Sequence, residues 1–120
     1  AEETKLMEIV KLIGSDVLPD DQKLVIEISK VIRVGYLQQN AFHAEDTYVP
    51  LAKQMKMMDV ILYLYKQSKQ VLAQGKPMSL ILQTGVFDKV IKMKNDVPNN
   101  NIELLDTYMP MIDEALSQIE

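Results

Sequence analysis

The chain has 120 residues, 48% of them hydrophobic and 25% charged, with 13 basic against 17 acidic side chains and a formal net charge of −4. That is enough chain for one domain with a real core, and the mild acidity argues against nucleic-acid binding, which needs clustered Lys and Arg facing phosphates. Cysteine is absent, so neither a disulfide framework nor thiol chemistry is available.

In chain order, Leu6, Ile9, Val10 and Ile13 recur at helical spacing, and Gly14 stands where a helix would stop. The opening AEETKLMEIV has no basic segment and no apolar signal core. It starts in helical pattern without Met, so the chain is expected to be a fragment of something longer. Ser15 to Asp21, SDVLPDD, reads as an acidic loop whose Asp20-Asp21 pair suits the positive end of a following helix. Leu24, Ile28, Val31 and Ile32 predict that helix, running through Gly35 to about Leu37.

A polar segment follows, GYLQQNAFHAEDTYVP from Gly35 to Pro50, holding the only His. A third helix is expected to start near Pro50, a residue tolerated in a first turn. Leu51, Met55, Met58, Leu62, Tyr65 and Leu72 are its expected buried side, and Gly75-Lys76-Pro77 its end. Leu24 and Leu62 are expected core anchors. Of Tyr63 and Tyr65, one is expected in the core and the other partly exposed. Most of the eight Met fall on apolar stripes and read as core filler.

Met78 to Gly85 predicts a short helix, and Val86, Phe87, Val90, Ile91 and Met93 another amphipathic segment. Asp96 to Asn101, DVPNNN, is a loop. In the last helix Asn100 and Glu103 fit a capping pattern, and Ile102, Leu105, Met109, Ile112, Leu116 and Ile119 form a packing seam. Pro110 cannot donate to the Asp106 carbonyl, which predicts a kink or break there. No segment alternates like a strand. The fold class is therefore all-α, a bundle of five to six helices in one domain over residues 1–120. The uncharged run Pro77–Phe87 is too short to cross a membrane.

The sequence holds no self-contained chemistry. His43, Glu45 and Asp46 are crowded into one loop, whereas a metal site needs three or four converging ligands; they read as a solvated loop, and no metal is expected. There is no G-x-x-x-x-G-K-[ST] phosphate cradle. With one His and no Cys, a nucleophilic triad is implausible. The residues alone describe a helical module with one unusual loop and no catalytic residue.

At YLQQNAFHAEDTY the sequence resembles the C-terminal helical domain of the catalytic subunit of archaeal and vacuolar-type (V/A-type) rotary ATPases. LMEIVKLIGSDVLPDDQKLVIEISKVIR resembles the family's approach to that motif, and Lys53-Gln54 in PLAKQMKMMDVILYLY the helix after it. The likeness is strong from about Leu6 to Tyr65 and looser beyond. It departs at Val49, where relatives often carry Cys, and at Pro50, where many carry a capping Ser. Pro110 stands apart from the pattern too.

The resemblance implies that Phe42 lies against the adenine of bound ATP or ADP, with Gln39, Asn40, Ala41 and Tyr36 around it and Gln38 near the base edge or the domain junction. A neutral ring stacks on a base for about 1–3 kcal/mol without a charged groove. It implies that phosphate, Mg2+ and the catalytic carboxylate belong to a P-loop domain outside this chain, so the fragment holds no cofactor and is inactive alone. GSDVLPDDQKL also resembles the acidic loop of the F-type beta subunit, which implies a central-stalk contact at Asp16, Leu18, Pro19, Asp20 and Asp21. Implied partners are the nucleotide-binding domain of the same polypeptide, the central-stalk subunits and the B subunit, with no nucleic acid and no membrane insertion. The implied setting is cytoplasmic, in the soluble sector peripheral to the membrane. The reading from a different class is a non-catalytic helical module whose LQQNAF loop binds a protein.

Overall fold

The computed structural model describes residues 18–37 and 49–119. Helix α1 spans Asp20–Lys30, with Pro19 as its extended N-cap. Asp20 and Asp21 occupy its first turn and Lys30 its last, each on the side the helix dipole favours. Leu24 is fully buried. The rod does not stop at Lys30 but widens into a π-helical stretch, Val31–Leu37, so the expected passage through Gly35 to Leu37 is present in another winding.

Helix α2, Leu51–Ala73, is the long central element. It begins after extended Pro50 and ends at Gly75, whose φ of +87° is left-handed backbone that glycine adopts without strain. Its buried face differs from the expected one. Lys53, Met57, Val60, Ile61, Leu64, Ser68 and Val71 point inward, whereas Leu51, Met55 and Leu62 are 70%, 62% and 56% exposed. Leu62 is thus not a core anchor. Nearly every position from Met57 to Tyr65 is apolar or aromatic, so several stripes fit the helical period, and packing against α1 and the C-terminal helix selects the one through Leu64. Met55 likewise leaves the core, while Met57, Met78 and Met93 fill it. Tyr63 and Tyr65 are both half-buried rather than split between core and surface. Tyr65 carries the Lys69 ammonium over its ring at 5.3 Å.

Three short helices follow: α3 Met78–Gln83, α4 Val86–Ile91 and α5 Met93–Asp96. Thr84 ties α3 to α4, donating from its hydroxyl to the Ile81 carbonyl (2.6 Å) and accepting from the Val86 amide (3.2 Å). Val86, Phe87, Val90 and Met93 complete the core from this side.

The last segment is split. A 3-10 stretch, Ile102–Thr107, gives way to α6, Tyr108–Ser117. Pro110 is the third residue of α6, where a first-turn position needs no amide donor. The expected break is therefore present, just upstream of the proline. The Asn100–Glu103 cap is not. Asn101 precedes the 3-10 turn with no side-chain cap bond, and only its backbone carbonyl accepts, from the Leu104 amide at 3.2 Å. The tighter winding removes the geometry a capping box requires. Of the seam, Leu105, Ile112, Leu116 and Ile119 are buried and Ile102 and Met109 half-buried.

Polar links close α2 onto this last segment. Lys56 donates to Asp106 at 2.7 Å, and the Tyr63 hydroxyl donates to Asp113 at 2.7 Å. The second bond pushes the Tyr63 phenol above its usual ionisation range, because ionising it forfeits the donor. Among the described residues the elements are all helical, with six α-helices, and no helix is long and apolar enough to cross a membrane.

The corrected face of α2 sets a direct test. Leu64→Ala should cost about 2–5 kcal/mol through lost burial and a cavity, whereas Leu62→Ala should stay within about 0.5 kcal/mol. Urea unfolding of the two variants beside the parent measures both, and equal losses would restore the stripe through Leu62.

Candidate functional site

Gln39, Asn40, Ala41 and Phe42 of the implied adenine contact lie outside the described residues, as do Gln38, the loop residues His43, Glu45 and Asp46, and Asp16 of the acidic loop. The described residues show what the polar segment is attached to. On its N-terminal side, Tyr36 is half-buried and packs on the core. Gly35, one residue earlier, lies against the backbone of Ile91 at the end of α4. A Cβ built on Gly35 would sit 2.8 Å from the Ile91 carbonyl oxygen and 3.0 Å from its Cα. Those are backbone atoms that cannot swing aside, so glycine is required here by close approach. The π-helical winding brings this surface onto α4, and π turns are often found beside functional sites.

On the C-terminal side the chain re-emerges at Val49, which packs partly on the core. The Gln54 side chain donates from Nε2 to the Val49 carbonyl at 2.8 Å, and its backbone amide donates to the Pro50 carbonyl at 3.0 Å. One residue thus holds both residues through which the segment enters α2.

The neighbouring Lys53 is wholly buried. Its ammonium donates to the Lys94 carbonyl at 2.7 Å, the Val97 carbonyl at 2.6 Å and Asn99 Oδ1 at 2.9 Å. An ammonium has three donors, and all three have oxygen partners here. That is the condition under which a buried charge is tolerable. The bonds fasten the first turn of α2 to the end of α5 and to the Val97–Asn101 turn. In the sequence, Lys53 and Gln54 stand out only through their likeness to the family's helix. A physical signal was available: Lys53 lies four residues before Met57, on the stripe that continues through Val60, Ile61 and Leu64.

At the other end of α1, Leu18 is 6% exposed. Its side chain is buried, while Pro19 is exposed. The two acids have different surroundings. Asp20 Oδ2 accepts from the Met78 amide at 3.0 Å and Oδ1 stands 3.8 Å from Lys23 Nζ. Asp20 therefore caps the first turn of α3, 58 residues away. Asp21 is exposed. No group of three or more His, Asp or Glu comes together as a metal site among the described residues.

Two outcomes follow from this geometry. Asp20→Ala should destabilise the fold by about 1 kcal/mol more than Asp21→Ala, since both remove an acid from a helix start but only Asp20 leaves an amide unpaired; Asp20→Asn, which keeps an acceptor, should recover most of the loss in urea unfolding. Gly35→Ala should cost about 1–3 kcal/mol by overpacking against backbone, and an unchanged melting temperature would mean that the rod and α4 are not in close contact.

Residues 1–81 match the family described as the C-terminal domain of V and A type ATP synthase. The chain is 50% identical over 116 residues to V-type ATP synthase alpha chain 2 of Clostridium tetani, covering 97% of this chain and 19% of that protein. It is 38% identical over 118 residues to the V-type ATP synthase alpha chain of Halothermothrix orenii, and 37% identical over 118 residues to the corresponding A-type ATP synthase subunit of Methanopyrus kandleri. Each of these matches covers 98% of this chain and 20% of the relative. The chain thus spans about one fifth of the length of those relatives. With that match over residues 1–81, which includes the LQQNAF segment, and these relatives over nearly its whole length, the chain belongs to the family of C-terminal domains of V and A type ATP synthases.

Proposed function

We propose that this domain closes the outer wall of the adenine pocket in the catalytic subunit of a V/A-type ATP synthase and links nucleotide state to the central stalk. The observation that carries the reading is the inclusion of Gln38–Phe42 in the family match. The anchoring of both flanks of that segment, by Gly35 against Ile91 and by Gln54 at Val49, supports it. A ring that stacks on a base is useful only if its backbone is held in place. ATP or ADP with Mg2+ is held chiefly by the remaining four fifths of the polypeptide, which supplies the phosphate cradle and the chemistry of ATP synthesis or hydrolysis. This chain alone is inactive. Its partners are the nucleotide-binding domain of the same polypeptide, the stalk and the B subunit, in a soluble sector peripheral to the membrane on its cytoplasmic side.

The link to the stalk rests on α1 and its π-helical continuation. Together they form one rod from Pro19 to Leu37, with the acidic loop at one end and the adenine segment at the other. Asp20 secures the loop end to α3, so the rod moves with the bundle rather than against it. A loop held by Pro19 and by Leu18 from within acts by shape, because exposed ion pairs contribute only about 0–1 kcal/mol.

Phe42→Ala in the assembled complex should raise KM for ATP by about 5- to 150-fold, the equivalent of a lost 1–3 kcal/mol stack, with the melting temperature held. Steady-state ATPase kinetics and calorimetric melting read the two together. A melting loss as large as that of Leu64→Ala with KM unmoved would make Phe42 a packing anchor and favour the interaction-module reading, for which the exposed Leu51, Met55 and Leu62 are the one supporting observation.

A further inference from the structure

We propose that the exposed apolar row of α2, formed by Leu51, Met55 and Leu62, is the surface on which the remaining four fifths of the polypeptide packs. The inference rests on reading this chain as one domain of the longer catalytic subunit. It does not depend on the adenine contact of Phe42.

Helix α2 carries apolar residues on two sides. Met57, Val60, Ile61, Leu64 and Val71 face the bundle. Leu51, Met55 and Leu62 stand elsewhere, 70%, 62% and 56% exposed. With half-buried Met58 they recur at steps of four, three and four residues. That spacing sets them in one row along the helix, over about 17 Å. The first helix, its π-helical continuation, the 3-10 stretch and α6 all pack on α2, and none of them covers this row. A helix apolar on so much of its circumference is built to be buried, and the bundle buries only part of it.

The row has polar borders. On the flank toward the last segment, Lys56 and Tyr63 are tied to Asp106 and Asp113, while Asp59 and Lys66 stand exposed. Beyond Leu62, Lys69 sits over the Tyr65 ring. A contiguous apolar patch rimmed by polar groups marks a protein contact, whereas single scattered leucines do not. Its size decides the kind of partner. A row one side chain wide falls well short of the roughly 800 Å² per partner that a stable complex of separate chains buries. Neither a second copy nor a free protein would be held by it alone. A tethered neighbour needs less, because its linker keeps it at an effective concentration on the order of millimolar, and domain interfaces within one chain are modest in area. The relatives have such a neighbour: the matched region is only 19–20% of each of them, and the family is that of a C-terminal domain. The facing surface is therefore an apolar one from the same polypeptide.

Thiol accessibility tests this. The chain has no cysteine, so Met55→Cys and Leu62→Cys each add one reporter to it. Glu114→Cys, exposed on α6, sets the rate of an uncovered thiol. Each variant is made in the 120-residue chain, in the intact subunit alone and in the assembled complex, and maleimide labelling of its peptide is followed by mass spectrometry. In the 120-residue chain the two row thiols should label as fast as Glu114→Cys. In the intact subunit alone they should label about 10- to 100-fold more slowly, as at a site reached only by local opening. Equal rates in all three samples would overturn the proposal and leave the adenine reading standing, since Phe42→Ala is scored by KM. Slowing seen only in the assembled complex would assign the row to another subunit, and slowing that grows with the concentration of the 120-residue chain would assign it to a second copy; either outcome sinks the proposal. Leu62→Asp provides a second measurement. It should leave the melting temperature of the 120-residue chain in place and lower that of the intact subunit, and equal shifts in the two would count against the contact.

Discussion

A buried ammonium organises this domain. Lys53 enters the core on the first turn of the longest helix and is stabilised there by three oxygens from a distant stretch. The dependence runs both ways. Without Lys53, the carbonyls of Lys94 and Val97 lose a buried donor. Without the short helices and the Val97–Asn101 turn, the charge has no place inside. The site is directional where a purely apolar contact would not be, and it sets the angular position of α2. The rotation that buries Lys53 also brings in Met57, Ile61, Leu64 and Ser68 and turns Leu51, Met55 and Leu62 outward. The core seen around α2 is the one compatible with that charge.

The acidic loop and the flanks of the polar segment are held by different means. At the acidic loop, a side chain, Asp20, reaches across to the amide of Met78 and joins two turns. At the polar segment the backbone is what is held: a missing side chain at Gly35 on one flank, a captured carbonyl at Val49 on the other. The rod between the ends changes winding from α to π at Val31. A π turn holds more residues per turn than an α turn, which turns Tyr36 onto the core and Gly35 onto Ile91.

Much of this could be read from the residues. Helix positions followed from apolar spacing with Gly75 and the Pro residues as punctuation, and the break near Pro110 followed from its missing donor. The face of α2 did not, because a helix apolar on most of its circumference satisfies more than one stripe, and the selecting residue, Lys53, reads as a surface charge until its partners are known. The π winding has no composition of its own. The Asn100–Glu103 pair matched a capping pattern that the local 3-10 turn does not allow. The adenine reading of Phe42 came from the likeness at LQQNAF and not from any physical pattern, since a phenylalanine among amides looks the same whether it packs on a core or on a base. The roles of Gln54 and Asp20 depend on partners 5 and 58 residues away, and only the folded chain brings those together.

The distances along the chain between bonded residues have a kinetic meaning. Lys53 meets Lys94 41 residues on, Lys56 meets Asp106 after 50, and Asp20 meets Met78 after 58. Each link closes a long loop, whose entropy must be spent before the bond returns anything. Helical proteins usually fold fast because their contacts are local, and rates fall as contacts reach further along the chain. The ammonium cage forms only when α2 meets residues 94–99, and the capped turn only when Asp20 meets Met78. A chain emerging N-terminus first therefore cannot complete these three bonds of Lys53 until Asn99 has been made.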